Sequence, residues 1–112
     1  MKTPPDAHQM TVAAYEAAVW AATTEKAFQA QVVALAQLHG WMVFHPRVMI
    51  MSASGFPDLT IVRRHRLAFV ELKTMRGKVT PAQTAWHEAL GKAAEFYLWR
   101  PSDWERITEV LA

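Results

Sequence analysis

Cysteine is absent from the sequence, and that one absence removes disulfides, thiolate metal sites and cysteine nucleophiles together. A dominant charge is absent too. Twelve Lys and Arg against ten Asp and Glu leave a formal net charge of +2, too small to identify a partner by itself. No internal repeat or low-complexity segment is present. No long hydrophobic run is found either: the most apolar early stretch, residues 12–22, is Ala-rich, contains Glu16 and is far too short to span a bilayer. The start MKTPPDAHQM has two prolines and lacks the apolar core of a secretory signal, so the expectation is a soluble, cytoplasmic protein without a membrane partner. Histidine is present at positions 8, 39, 45, 65 and 87, but no two of these have helical ligand spacing, which argues against a His-built metal site.

What is there suits one domain. The 112 residues, 52% hydrophobic and 20% charged, can bury a real core but not two. The charge is unevenly placed. Between positions 47 and 78 the chain carries Arg47, Arg63, Arg64, Arg66, Lys73, Arg76 and Lys78 against only Asp58 and Glu71. A basic middle enclosing two isolated acids suits a polyanion surface with a metal site inside it. For Arg63, Arg64 and Arg66 a second reading stands equally, that they decorate a solvated turn.

Strong helix formers without a breaker predict a helix over residues 10–22, apolar nearly all round and so suited to packing on a partner or second subunit. Thr23 and Thr24 offer N-cap hydroxyls for a second helix over 25–39, where Phe28, Val32, Leu35, Ala36 and Leu38 follow a 3.6-residue period and Gly40 provides the stop. Strands are expected over 41–44, 58–64 and 66–73, with a Ser/Ala/Gly loop over 51–55 and a basic loop over 74–79. Thr80 and Pro81 supply a cap and a first-turn proline for a helix to about residue 94. A strand over 95–99 and a helix opening at Pro101-Ser102-Asp103 complete an α/β chain, a sheet of about four strands flanked by helices. Trp86, Trp99 and Trp104 recur with core periodicity and are expected to pack.

The chemistry concentrates in Asp58 and Glu71-Leu72-Lys73. Alternation along a strand sends Glu71 and Lys73 to one face and Leu72 to the other. Two strands joined by a short turn can bring Asp58 beside Glu71, so that two carboxylates and an ammonium converge at one edge of the sheet. Such a trio suits phosphodiester hydrolysis: carboxylate oxygens hold Mg²⁺ or Mn²⁺, with the Leu72 carbonyl as a further ligand, and Lys73 supports the pentavalent transition state. The bland reading makes Glu71 and Lys73 a solvent-facing pair and Asp58 the plain start of a strand.

In order, Gly55 to Asp58, Val70 to Lys73, Arg76-Gly77-Lys78, Pro81-Ala82-Gln83 and Trp99-Arg100-Pro101 resemble the VRR-NUC branch of the PD-(D/E)XK nuclease superfamily, over roughly residues 25–111. The resemblance implies a restriction-endonuclease-like core over 23–112, preceded by a lead and Ala-rich helix over 1–22 as a candidate dimer element. It also implies metal-binding acids at Asp58 and Glu71 and a catalytic lysine at Lys73. Glu25 would complete the metal site through water, and Gln83 would face the active site from the following helix. The implied activity is an Mg²⁺- or Mn²⁺-dependent endonuclease acting on DNA. Stand-alone members resemble archaeal junction resolvases and are associated with phage and mobile elements, which implies a homodimer on four-way DNA junctions in the cytoplasm of a bacterial or phage-infected cell. Arg47, Arg76 and Lys78 flank the site as phosphate contacts. His45 is a weaker candidate for the cleft, Gln29 and Gln31 are expected to be solvated, and Met49 and Met51 are open between gating the site and lying disordered. The alternative function is a catalytically silent DNA-binding or assembly module, against which the intact trio argues.

Overall fold

The structure, a computed structural model, describes residues 10–46 and 54–112, so Arg47, Met49 and Met51 lie outside the described residues. Two helices come first, α1 (Val12–Ala22) and α2 (Glu25–Leu38). Each is capped by a threonine: Thr11 Oγ1 accepts from Ala14 N–H and Thr24 Oγ1 from Ala27 N–H, both at 3.1 Å. Three strands follow, β1 (Met42–Phe44), β2 (Leu59–Arg63) and β3 (Arg66–Leu72), then α3 (Pro81–Ala93), β4 (Glu95–Trp99), a 3₁₀ turn at Pro101–Asp103 and α4 (Trp104–Leu111).

The strands form one mixed sheet in chain order. β1, β2 and β3 pair antiparallel, whereas β4 returns parallel to β3 after the α3 crossover, as a parallel neighbour requires. Alternation then sorts the side chains. Leu59 and Ile61 of β2 and Ala68, Val70 and Leu72 of β3 bury against Phe28, Val32 and Ala36, three residues at four-residue spacing on α2, and against Ile107 and Leu111 of α4. The opposite face of β3 carries Phe69 and Glu71, with Lys73 just past its end, and α3 lies over it, Gln83 and His87 approaching Glu71.

For Arg63 and Arg66 the two open readings of the arginine cluster give way to a third. Arg63 donates to the carbonyls of His39, Leu111 and Ala112, and Arg66 donates to Val110 O and to both carboxylate oxygens of Glu95. Their guanidinium carbons sit 4.7 and 4.8 Å from the Trp41 ring centroid. Both therefore cap the carbonyls at the end of α4. Arg66 also holds the Glu95 carboxyl down to about 2, chiefly through their hydrogen bond. Of the three, only Arg64 is an exposed turn residue, at φ +56. No helix among the described residues is long and apolar enough to cross a membrane.

Candidate active site

Gly55 has φ +86, and a Cβ built on it would lie 2.5 Å from Ala82 C and 2.6 Å from Gln83 N. Only a glycine lets this loop touch the backbone at the start of α3. Phe56 then wedges edge-on between Phe69 of β3 (5.8 Å between centroids) and Trp86 of α3 (5.1 Å), and Pro57 is buried. The loop is thus pinned to both layers before it delivers Asp58. Replacing Gly55 by Ala is expected to destabilise the fold by about 1–3 kcal/mol from backbone conformation alone, with the clash added. Thermal unfolding by circular dichroism checks this, and a melting temperature equal to that of the unsubstituted protein would rule out the close approach.

Asp58 precedes β2, and its Oδ2 accepts the Leu72 N–H at 2.8 Å. That bond fixes the carboxylate at the end of β3, beside Glu71. Leu72 itself points into the core, as alternation requires. Glu71 is 2% exposed, the one buried charged side chain among the described residues. Its Oε2 accepts from Gln83 Nε2 at 3.2 Å and lies 3.7 Å from Lys73 Nζ. Gln83 is set by a capping box, its backbone N–H donating to Thr80 Oγ1 while its Oε1 accepts the Thr80 N–H.

Burial pushes the Glu71 carboxyl up to about 8, the neighbouring Asp58 adds to the rise, Lys73 opposes it and Glu25 adds a further repulsion. Glu25, exposed in the first turn of α2, therefore reaches the site by its field. The structure brings together Asp58, Glu71, Lys73 and Gln83. Arg76 and Lys78 are exposed on the basic loop, which Arg100 braces by donating to Thr74 O at 2.6 Å and Gly77 O at 2.8 Å. His45 is also exposed, its ring against the Gln29 amide. Gln29 is half-buried, while Gln31 is exposed as expected.

Sequence reasoning missed His87. Its Nε2 lies 3.9 Å from Glu71 Oε1, and its ring stacks on Phe96 with centroids 4.3 Å apart. Burial and then the charge of Lys73 push its imidazole below the usual range, with Asp58 pulling the other way. A signal for it existed: Gln83, Trp86, His87 and Leu90 fall at i, i+3, i+4 and i+7, one face of one helix.

Among the described residues, no three His, Cys, Asp or Glu side chains converge to hold a metal ion unaided. A cation at this site would rest on Asp58 and Glu71 together with backbone oxygen and water. An all-oxygen set of this kind suits a hard divalent cation such as Mg²⁺ or Mn²⁺, and the unpaired buried Glu71 Oε1 offers it an acceptor. Comparison with known proteins finds no matching family model, no matching curated protein and no matching solved structure.

Proposed function

We propose that the protein is a divalent-metal-dependent endonuclease of the VRR-NUC type, with a restriction-endonuclease-like core, that hydrolyses DNA phosphodiester bonds. One observation carries this reading: a buried Glu71 carboxylate held beside Asp58, with Lys73 Nζ 3.7 Å away. Two adjacent acids, one of them buried, repel each other and resist ionisation. The protein nonetheless spends three residues, Leu72, Gln83 and Lys73, on holding them in place. Such an arrangement is unfavourable by itself and favourable around a cation.

Asp58 and Glu71 would hold Mg²⁺ or Mn²⁺, with Glu25 acting through water and the Leu72 carbonyl as a further oxygen. When bound, the ion supplies a Lewis acid that polarises the scissile phosphate and acidifies a water. Lys73 directly follows β3, where its N–H donates to Trp99 O at 3.0 Å, and its ammonium stabilises charge developing on the phosphoryl oxygens. Gln83 keeps the Glu71 carboxylate oriented. Arg76 and Lys78, exposed beside the site, bind the DNA backbone without reading its sequence.

The junction preference and the homodimer belong to the same proposal. In support of a dimer, α1 has no buried residue although Val12, Tyr15 and Val19 are 76%, 51% and 46% exposed, as a helix awaiting a second subunit would be.

The test is incubation with labelled four-way junction, flap, single-stranded and linear duplex DNA in Mg²⁺, Mn²⁺ or EDTA. Cutting that needs the metal is expected, with paired symmetric nicks on the junction. Salt-sensitive junction binding without cutting in any metal would replace the enzyme by a DNA-binding module.

A further inference from the structure

Glu71 presents two oxygens to α3, and they are treated differently. Oε2 is held by Gln83 and approached by Lys73. Oε1 is buried without a hydrogen-bond partner among the described residues, and so is His87 Nε2, the polar atom that faces it. Two unpaired buried polar atoms side by side are rare, because each forfeits its bond to water without replacing it. His87 lies one helical turn beyond Gln83, and its ring stacks on Phe96. The 3.9 Å between Nε2 and Oε1 exceeds a hydrogen bond by about 1 Å, a gap that a small side-chain rotation closes. Hydrogen bonds around catalytic groups commonly stay long until the site is loaded.

We propose that His87 is a positioning residue for Glu71: its Nε2–H donates to Oε1, so that successive turns of α3 grip both oxygens of one carboxylate and present it to a divalent cation. The inference rests on the reading of Asp58 and Glu71 as metal ligands. Groups that orient a ligand in this way set the affinity of the site, and their loss typically weakens binding by about 10–100-fold.

Two substitutions separate the hydrogen bond from the stack. His87→Phe keeps an aromatic ring on Phe96 and removes the donor, whereas His87→Gln keeps an N–H at similar reach and removes the ring. Mn²⁺ binding to the full chain, measured by titration calorimetry with no DNA present, is compared among the unsubstituted protein, both variants and Asp58→Ala, with thermal unfolding recorded for each. The expected result is Mn²⁺ binding weakened about 10–100-fold in His87→Phe and largely restored in His87→Gln, both remaining folded. Unchanged affinity in His87→Phe, or a loss in His87→Gln as large as in His87→Phe, would overturn the proposal. If the unsubstituted protein binds Mn²⁺ no better than Asp58→Ala does, the metal reading itself fails and the role of His87 falls with it.

Discussion

Lys73→Ala is expected to slow metal-dependent DNA cleavage by about 10²–10³-fold, and Asp58→Asn by at least as much, with both variants still folded. The two substitutions remove different things. Lys73 projects from the end of β3 on the same face as Glu71, and its Nζ is the one ammonium within 4 Å of that carboxylate among the described residues. Truncation takes away the positive charge that opposes the build-up on the phosphoryl oxygens, while the strand keeps its backbone bond from Lys73 N–H to Trp99 O at 3.0 Å. Asp58→Asn is the milder change sterically, because an amide oxygen can still accept the Leu72 N–H that now ends at Oδ2. What it loses is the charge, and with it one of two carboxylates available to a cation. Single-turnover cleavage rates at saturating metal measure both effects, and raising Mn²⁺ tells them apart. Part of the Asp58→Asn defect should be recovered as the metal concentration rises, whereas the Lys73→Ala defect should not move. Cleavage at the unsubstituted rate in Lys73→Ala would remove the lysine from the mechanism.

Much of the fold can be read along the chain, because its signals are local. Thr80-Pro81 marks the start of α3, and the capping box there forms with Gln83 as the third helical residue. Gly40, at φ +85, ends α2 by the left-handed turn its position suggests. The strand expected over 95–99 is β4, and alternation along β3 puts Glu71 and Lys73 on the face away from Leu72. Where partners are distant, the sequence carries no mark. Arg63 and Arg66 stand in an arginine-rich turn, and nothing near them foretells that they bind carbonyls more than forty residues away. The same holds for His87, whose meaning depends on a strand sixteen residues earlier and on the packing of α3 over it. Asp58 is an intermediate case. The motif text isolates it, but the bond that orients it, from Leu72, belongs to the pairing of β2 with β3.

Glu71→Gln is expected to abolish cleavage and yet to make the metal-free protein more stable than the unsubstituted chain. The carboxyl of Glu71 is pushed up to about 8, first by burial and then by Asp58, from an ordinary value of 4.5. Between those values the folded state holds a proton that the unfolded chain releases, so stability falls as the pH rises through this window and levels off above it. An amide cannot ionise. It keeps an acceptor for Gln83 and loses the repulsion with Asp58, so the variant should escape the decline. Thermal unfolding in EDTA should therefore give similar melting temperatures for the two proteins at about pH 4 and a clear advantage for Glu71→Gln at about pH 9. Added Mn²⁺ should reverse the order, since a cation that binds the folded state alone raises stability by mass action, and the variant has given up one of its ligands. A Glu71→Gln protein less stable than the unsubstituted chain at high pH would mean that Lys73 and Gln83 already compensate the buried charge. The site would then be a satisfied ion pair, and the case for a cation between Asp58 and Glu71 would lose its physical ground.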